Sequence, residues 1–292
     1  MLIKSDSVKA SLLAVTAFFF MAVFGLLTKI ALQDSPTIWV SFIAYLTGTL
    51  ALFPYILKKG FSYLKSDHYT LLFGRALIGT LASFLYSLSI HYIPIVNGTL
   101  LFNTAPIFIP ILALLFLKVK VSNSVWLAVA LGFLGITIII KPTEAILSEP
   151  GNLIALLSGF CLAIAYLLMK LLTGTDPGIR IIFYYLGLGT LVQIPFLLFS
   201  SSWPGIEGFL FALASGLSLC LAQYCLVSAY KYANASEVGV YQYSTVAFVG
   251  IFDWLIWNMI PGWWDLIGIL LVVMAGMIII RSHNHNDKVK AN

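Results

Sequence analysis

Asp253, in "AFVGIFDWLIW", is the one acidic residue that lies well inside an apolar run of this chain. A carboxylate placed there could take up a proton, neutralise a cationic ligand, or pair with a lysine from another segment. Three cations have comparable positions: Lys29 in "LLTKIAL", Lys170 in "LLMKLLT" and Arg75 in "GRALIGT". Each could hold a carboxylate or phosphate, or extend its head group to an interface while the stem stays in apolar surroundings. Asp253, Lys170 and Arg75 are therefore candidates for coupling or gating, and Lys29 for substrate binding. Neutral hydrogen-bonding residues form a second set. Asn97, Thr99, Asn103 and Thr104 precede Pro106 and Pro110, and a later run carries Tyr241, Gln242, Tyr243 and Ser244. Gln223, Tyr224 and Tyr166 complete this set of candidate substrate contacts. Taken singly, such residues serve as hydrogen bonds between neighbouring segments, at roughly 0.6 kcal/mol each. Taken together, they could line a polar cavity. The tyrosines could also form a cation–π box, with plain packing as the alternative.

The elements that must hold these groups follow from composition. Hydrophobic residues make up 61% of the 292 positions and charged residues 9%, with a mean hydropathy of +1.00. A surface facing water cannot be built from so few charges. Most of the chain reads as apolar runs of about 20 residues, the length at which a helix crosses the hydrocarbon. The alternation of a barrel strand is absent, so the expected class is an all-α polytopic membrane protein. Basic residues are scattered between the apolar runs, which points to topology signals and away from nucleic acid. Cys161, Cys220 and Cys225 fall inside apolar runs and read as small core residues. No Gly-rich phosphate loop with lysine, no H-E-x-x-H and no C-x-x-C occurs, so neither cofactor nor metal is implied.

Turn and charge punctuation predicts ten spans, at about 8–32, 36–57, 70–91, 94–117, 124–141, 151–172, 178–200, 207–230, 235–258 and 262–281. With both termini in the cytoplasm, every lysine and arginine except Lys29 and Lys141 falls on the inner side. That asymmetry is a strong orientation signal.

The chain also repeats itself. At an offset of 141, "PTIWVSFIAYLTGTLALFP" (36–54) meets "PGIRIIFYYLGLGTLVQIP" (177–195). The alignment joins Pro36 to Pro177, Gly48 to Gly189, Pro54 to Pro195 and, upstream, Lys29 to Lys170. At an offset of 140, Asn103 meets Tyr243 and Thr104 meets Ser244, so the two polar clusters coincide. Residues 1–142 and 143–292 are thus expected to be two five-helix repeats. Five is odd, so the second copy enters the membrane from the opposite side, and the pair forms an inverted repeat with its site near the midplane. This repeat makes the first run a counterpart of the sixth, not a leader to be removed.

Two stretches carry a family resemblance. "RALIGTLASFLYSLSIHYIPIVNGTLLFNTAPIFIPILALLF" with "WLAVALGFLGITIIIKP", and "KYANASEVGVYQYSTVAFVGIFDWLIWNMIPGWWDLIGILLVVMAGMIII", resemble EamA-type proteins of the drug/metabolite transporter superfamily. The resemblance implies a ten-helix carrier whose cavity lies between its halves. It departs from the family at the ends of spans 4 and 9, where Lys118 and Asn258 replace a frequent glutamate, and in span 2, where Ala44 replaces an arginine. The resulting expectation is a secondary active or facilitative transporter of a small polar metabolite, either an amino acid or a nucleotide-derived compound such as S-adenosylmethionine. It would reside in the inner (plasma) membrane, as a monomer or homodimer, with protons as a candidate coupling ion. The alternative is a membrane-embedded enzyme or sensor that uses the bundle as a scaffold, and the lack of a catalytic constellation counts against it.

Overall fold

The computed structural model describes residues 2–142, 149–198, 202–258 and 260–291. Residues 143–148, within the break expected between spans 5 and 6, and 199–201, where span 7 was expected to end, lie outside the described residues. The elements are α1 (Leu2–Ala31), α2 (Thr37–Lys59), α3 (Tyr69–Ser89), α4 (Ile95–Phe102), α5 (Ala105–Phe116), α6 (Asn123–Ile140), α7 (Gly151–Leu172), α8 (Gly178–Leu197), α9 (Ile206–Tyr232), α10 (Ala235–Val240), α11 (Ser244–Trp257) and α12 (Trp263–Ala291). Short 3-10 turns cover Phe61–Leu64 and Tyr241–Tyr243. Among the described residues there is no strand. Nine helical stretches there are long and apolar enough to cross a membrane, with α4 and α5 counted as one. This is the all-helical, polytopic class that the hydropathy predicts.

Span 9 departs from the single unbroken helix expected over 235–258. It runs as α10, a 3-10 turn at Tyr241–Tyr243, and α11. Span 4 tightens in the same way between α4 and α5, at Asn103 and Thr104. The physical cause is shared. Thr104 donates its hydroxyl to the Leu101 carbonyl at 2.6 Å, and Ser244 donates to the Tyr241 carbonyl at 2.6 Å. A hydroxyl that bonds back three residues competes with the i→i−4 ladder and draws the turn tight. In span 4, Pro106 and Pro110 remove two further ladder donors. Both spans also end on a left-handed residue, Lys118 at φ 53° and Asn258 at φ 54°.

Small residues set the helix pairing. α1 packs along α9, α3 along α7, α2 against α8, and α6 along α12. A Cβ on Gly48 would lie 2.9 Å from the Leu186 side chain, and one on Gly189 would run into the Tyr45 ring. Where α6 meets α12, a Cβ on Gly135 would come within 2.7 Å of the Gly268 carbonyl oxygen, and one on Gly268 within 2.6 Å of the Gly135 oxygen. Backbones approach this closely only where no side chain intervenes, the usual device of helix packing in lipid. The helix openings after Pro36 and Pro177 match too, because both prolines are extended N-terminal caps, at φ/ψ −63°/140° and −61°/137°.

Two corners tie a loop to the start of a neighbouring helix. Between α1 and α2, the Asp34 carboxylate accepts from the Gly208 amide at 3.3 Å, and the Ser35 hydroxyl accepts from the Gly205 amide at 3.1 Å. Both satisfy donors at the start of α9. Between α7 and α8, the Asp176 carboxylate is fully buried and takes a 2.7 Å bond from Arg180. It also lies 3.7 Å from His68, at the start of α3. Burial works to raise the Asp176 pKa, but hydrogen bonds from Arg180, Ser66 and Thr175 outweigh it and hold the carboxyl below the usual range.

Packing density differs between the two ends of the bundle. At the end carrying Lys9, Lys58, Lys59 and Lys231, α1 buries Ala10, Ser11, Ala14, Ala17 and Phe18, and all of span 9 from Ala235 to Tyr243 is buried except Glu237. Towards the other end, α11 buries only Ala247. Gly25 and Gly250 there have open space where a Cβ would stand.

Candidate functional site

The tightened turns of spans 4 and 9 meet. Gln242 donates its amide to the Asn103 carbonyl oxygen at 3.1 Å, and Asn103 donates in turn to the Thr99 carbonyl at 2.9 Å. Both residues are buried, and the Gln242 oxygen has no partner. Thr104 lies beside them, its hydroxyl engaged by its own helix. Tyr243 is fully buried, with its ring against Gly132 and its hydroxyl unbonded. Tyr241 turns aside and donates to Ser11 at 2.8 Å. Of the set expected at this level, the structure therefore joins Asn103, Thr104 and Gln242, with Tyr243 packed behind them.

A second group forms around Arg75, about two turns from the start of α3. Arg75 is 3% exposed. It donates to the Gln223 side-chain oxygen at 3.3 Å and lies over the Tyr185 ring at 4.1 Å. The hydroxyls of Tyr185 and Tyr45 are 3.0 Å apart. Tyr166 and Tyr230, whose rings adjoin each other at 6.1 Å, stand within electrostatic range of Arg75. Among the described residues no carboxylate pairs with Arg75. Sequence reading found Arg75, Gln223 and Tyr166 but passed over Tyr45, Tyr185 and Tyr230. Tyr45 and Tyr185 lie in matching spans, one position out of the repeat register, and a tyrosine in each was the available signal.

The other charges are placed separately. Lys29 and Asp253 form a 2.8 Å ion pair between α1 and α11, with the lysine side chain 52% exposed and its ammonium 3.9 Å from the centre of the Trp257 ring. Lys170 donates to the Tyr230 and Ala233 carbonyls at 2.6 and 2.8 Å, so it caps the end of α9 and favours the negative pole of that helix. Tyr224 is half exposed and faces a shallow surface groove with Tyr55, Tyr63 and Lys231, away from Gln223. It does not join either buried group. Cys161 and Cys220 are buried free thiols.

The model of the EamA-like transporter family matches this chain twice, over residues 8–141 and 149–281. The chain belongs to that family. An EamA member of Pseudomonas aeruginosa, a pseudopaline exporter, is 27% identical over 272 residues, covering 93% of this chain and 95% of its own. An S-adenosylmethionine uptake transporter of Rickettsia felis is 26% identical, covering 83% and 82%. A riboflavin transporter of Vibrio cholerae is 25% identical, covering 88% and 87%. A solved crystal structure shares the fold at a TM-score of 0.81 with 17% identity, covering 94% of this chain and 98% of that one. This EamA protein is a multi-pass membrane transporter of small molecules, and not an enzyme.

Proposed function

We propose that this EamA protein is a secondary active or facilitative carrier that works by alternating access. Its two inverted repeats are residues 1–142 and 143–292. The observation that carries this reading is a pair of contacts made twice with roles exchanged. Gly48 receives Leu186, and Gly189, its counterpart at offset 141, receives Tyr45, the counterpart of Leu186. The pairing of α1 with α9 and of α3 with α7 has the same reciprocity, because span 1 corresponds to span 6 and span 8 to span 3, so each pair joins one span from each half. Contacts related in this way suit two halves that exchange shapes about an axis in the membrane plane.

Both termini lie in the cytoplasm in this reading, with the lysine-rich end inward across the inner membrane. The dense packing at that end and the looser packing around Gly25 and Gly250 then correspond to a carrier closed on the cytoplasmic side. The cargo is a small polar metabolite, an amino acid or a nucleotide-derived compound. Asn103, Thr104 and Gln242 are its neutral hydrogen-bonding contacts near the midplane, and the Lys29–Asp253 pair gates the outer end. Asp253 is the carboxylate available to proton coupling.

Flux into proteoliposomes tests this directly. Labelled amino acids, S-adenosylmethionine and nucleosides are offered with a pH gradient imposed in each direction. Uptake of at least one compound above empty vesicles is expected, and coupling through a proton makes that uptake depend on the sign of the gradient. A panel that crosses no faster than in empty vesicles would falsify the carrier reading.

A further inference from the structure

The group around Arg75 carries an inference that rests on the carrier reading and goes further, to the chemical class of the cargo. A guanidinium has five donors in a planar fork and stays charged at any accessible pH. Arg75 is buried, yet its Nε has no hydrogen-bond partner, and its bond to Gln223 is long at 3.3 Å. Two further donors in the same region are unused, the hydroxyls of Tyr230 and Thr80. Thr80 stands 3.6 Å from where a Gly189 Cβ would be, one turn from Arg75 along α3. The nearby polar partners are thus neutral, and several are donors without acceptors. A buried cation in lipid ordinarily has an anion beside it. Here the chain supplies none among its described residues.

We propose that Arg75 is the anchor for a carboxylate on the transported molecule, with the Thr80 and Tyr230 hydroxyls as supporting donors. A fork of parallel N–H groups fits a planar carboxylate two bonds at a time. Charge selects carboxylate over phosphate. The next cation, Lys170, is engaged by backbone carbonyls, so the group offers one positive charge. That charge balances a monovalent anion and leaves a phosphomonoester, at about −1.5 to −2, in excess. Gln223 and the Tyr185 ring hold the guanidinium in place.

The test uses the purified full-length protein in proteoliposomes at neutral pH with paired probes. Each labelled L-amino acid and S-adenosylmethionine is set against its carboxamide, and each nucleoside monophosphate against its nucleoside. The expected result is uptake of a carboxylate compound at least about tenfold faster than its amide, the margin of a charge-assisted bond. Arg75→Gln should abolish that preference and Arg75→Lys should restore part of it. Equal uptake of acid and amide overturns the anchor and leaves the carrier standing. Arg75-dependent uptake confined to the phosphate compounds overturns the choice of carboxylate. A panel in which nothing moves overturns the carrier reading and the anchor with it. If Arg75→Gln cannot be recovered folded, the acid–amide ratio of the unmodified protein and its change in Arg75→Lys decide the matter.

Discussion

Two cations in this molecule have opposite circumstances. Lys29 is half exposed near one end of the bundle and holds Asp253 at 2.8 Å. Arg75 is buried on α3 and has neutral company, the Gln223 amide and the Tyr185 ring nearest to it. Stability alone would reverse the arrangement, because a salt bridge near the surface contributes about 0–1 kcal/mol while a buried unpaired charge costs several. The chain therefore carries a destabilising charge where it has every means to avoid one. On the proposed anchor role, that cost is offset when an anionic molecule arrives beside it. The exposed pair, which can part at little cost, suits a contact that opens and closes.

The largest expected effect tests the buried member. Arg75→Met should reduce uptake by roughly ten- to a hundredfold, the worth of charge-assisted hydrogen bonds. It should at the same time leave the melting temperature in detergent unchanged or raised. A large fall in melting temperature would make Arg75 a structural residue and undo the contrast. Next comes Asp176, a buried charge that does have its partner. Asp176→Asn should destabilise the protein by about 1–3 kcal/mol in thermal unfolding, since Arg180 then loses its carboxylate. The sign of the pH effect follows from the lowered Asp176 pKa. Its contribution is complete above the ordinary carboxylate pKa of about 3.9 and is lost as pH falls through the lower folded value. Melting curves of the unmodified protein should drop further than those of Asp176→Asn only below about pH 4.

The exposed pair should respond less. Lys29→Gln and Asp253→Asn should each change stability by about 1 kcal/mol or less, and the double variant should cost no more than the worse single one. Moderate salt should reduce even that difference. The smallest effect concerns Tyr243, whose buried hydroxyl has no partner. Tyr243→Phe should leave stability within about 0.5 kcal/mol or raise it, and should leave uptake unchanged if the ring only packs against Gly132. Loss of uptake in this variant would place the hydroxyl on the substrate path.

The spans were legible because each must be apolar over its whole length, a property written locally in the sequence. The matched turns of spans 4 and 9 were half legible. The offset of 140 aligned Thr104 with Ser244, but the tightening depends on which carbonyl each hydroxyl reaches. Pairings across the bundle were hidden. Lys29 and Asp253 are 224 residues apart, and only packing brings α11 against α1. Arg75 misleads in another way. Its distance from the start of α3 places it within snorkelling reach of an interface, but packing of α3 against α7 and α8 leaves it buried. Lys170 likewise reads as an intramembrane charge until the end of α9 is seen beside it.

The doubled glycine contacts also bear on direction of flow. Leu186 sits on Gly48 and Tyr45 sits on Gly189 at the same time, so on the carrier reading the two halves meet through matched seats. In a carrier of that kind with no ion coupled to it, neither end state would have a large intrinsic advantage, and net movement would follow the fuller reservoir. Whether such a protein fills a cell or empties it would be decided by metabolism on either side of the membrane.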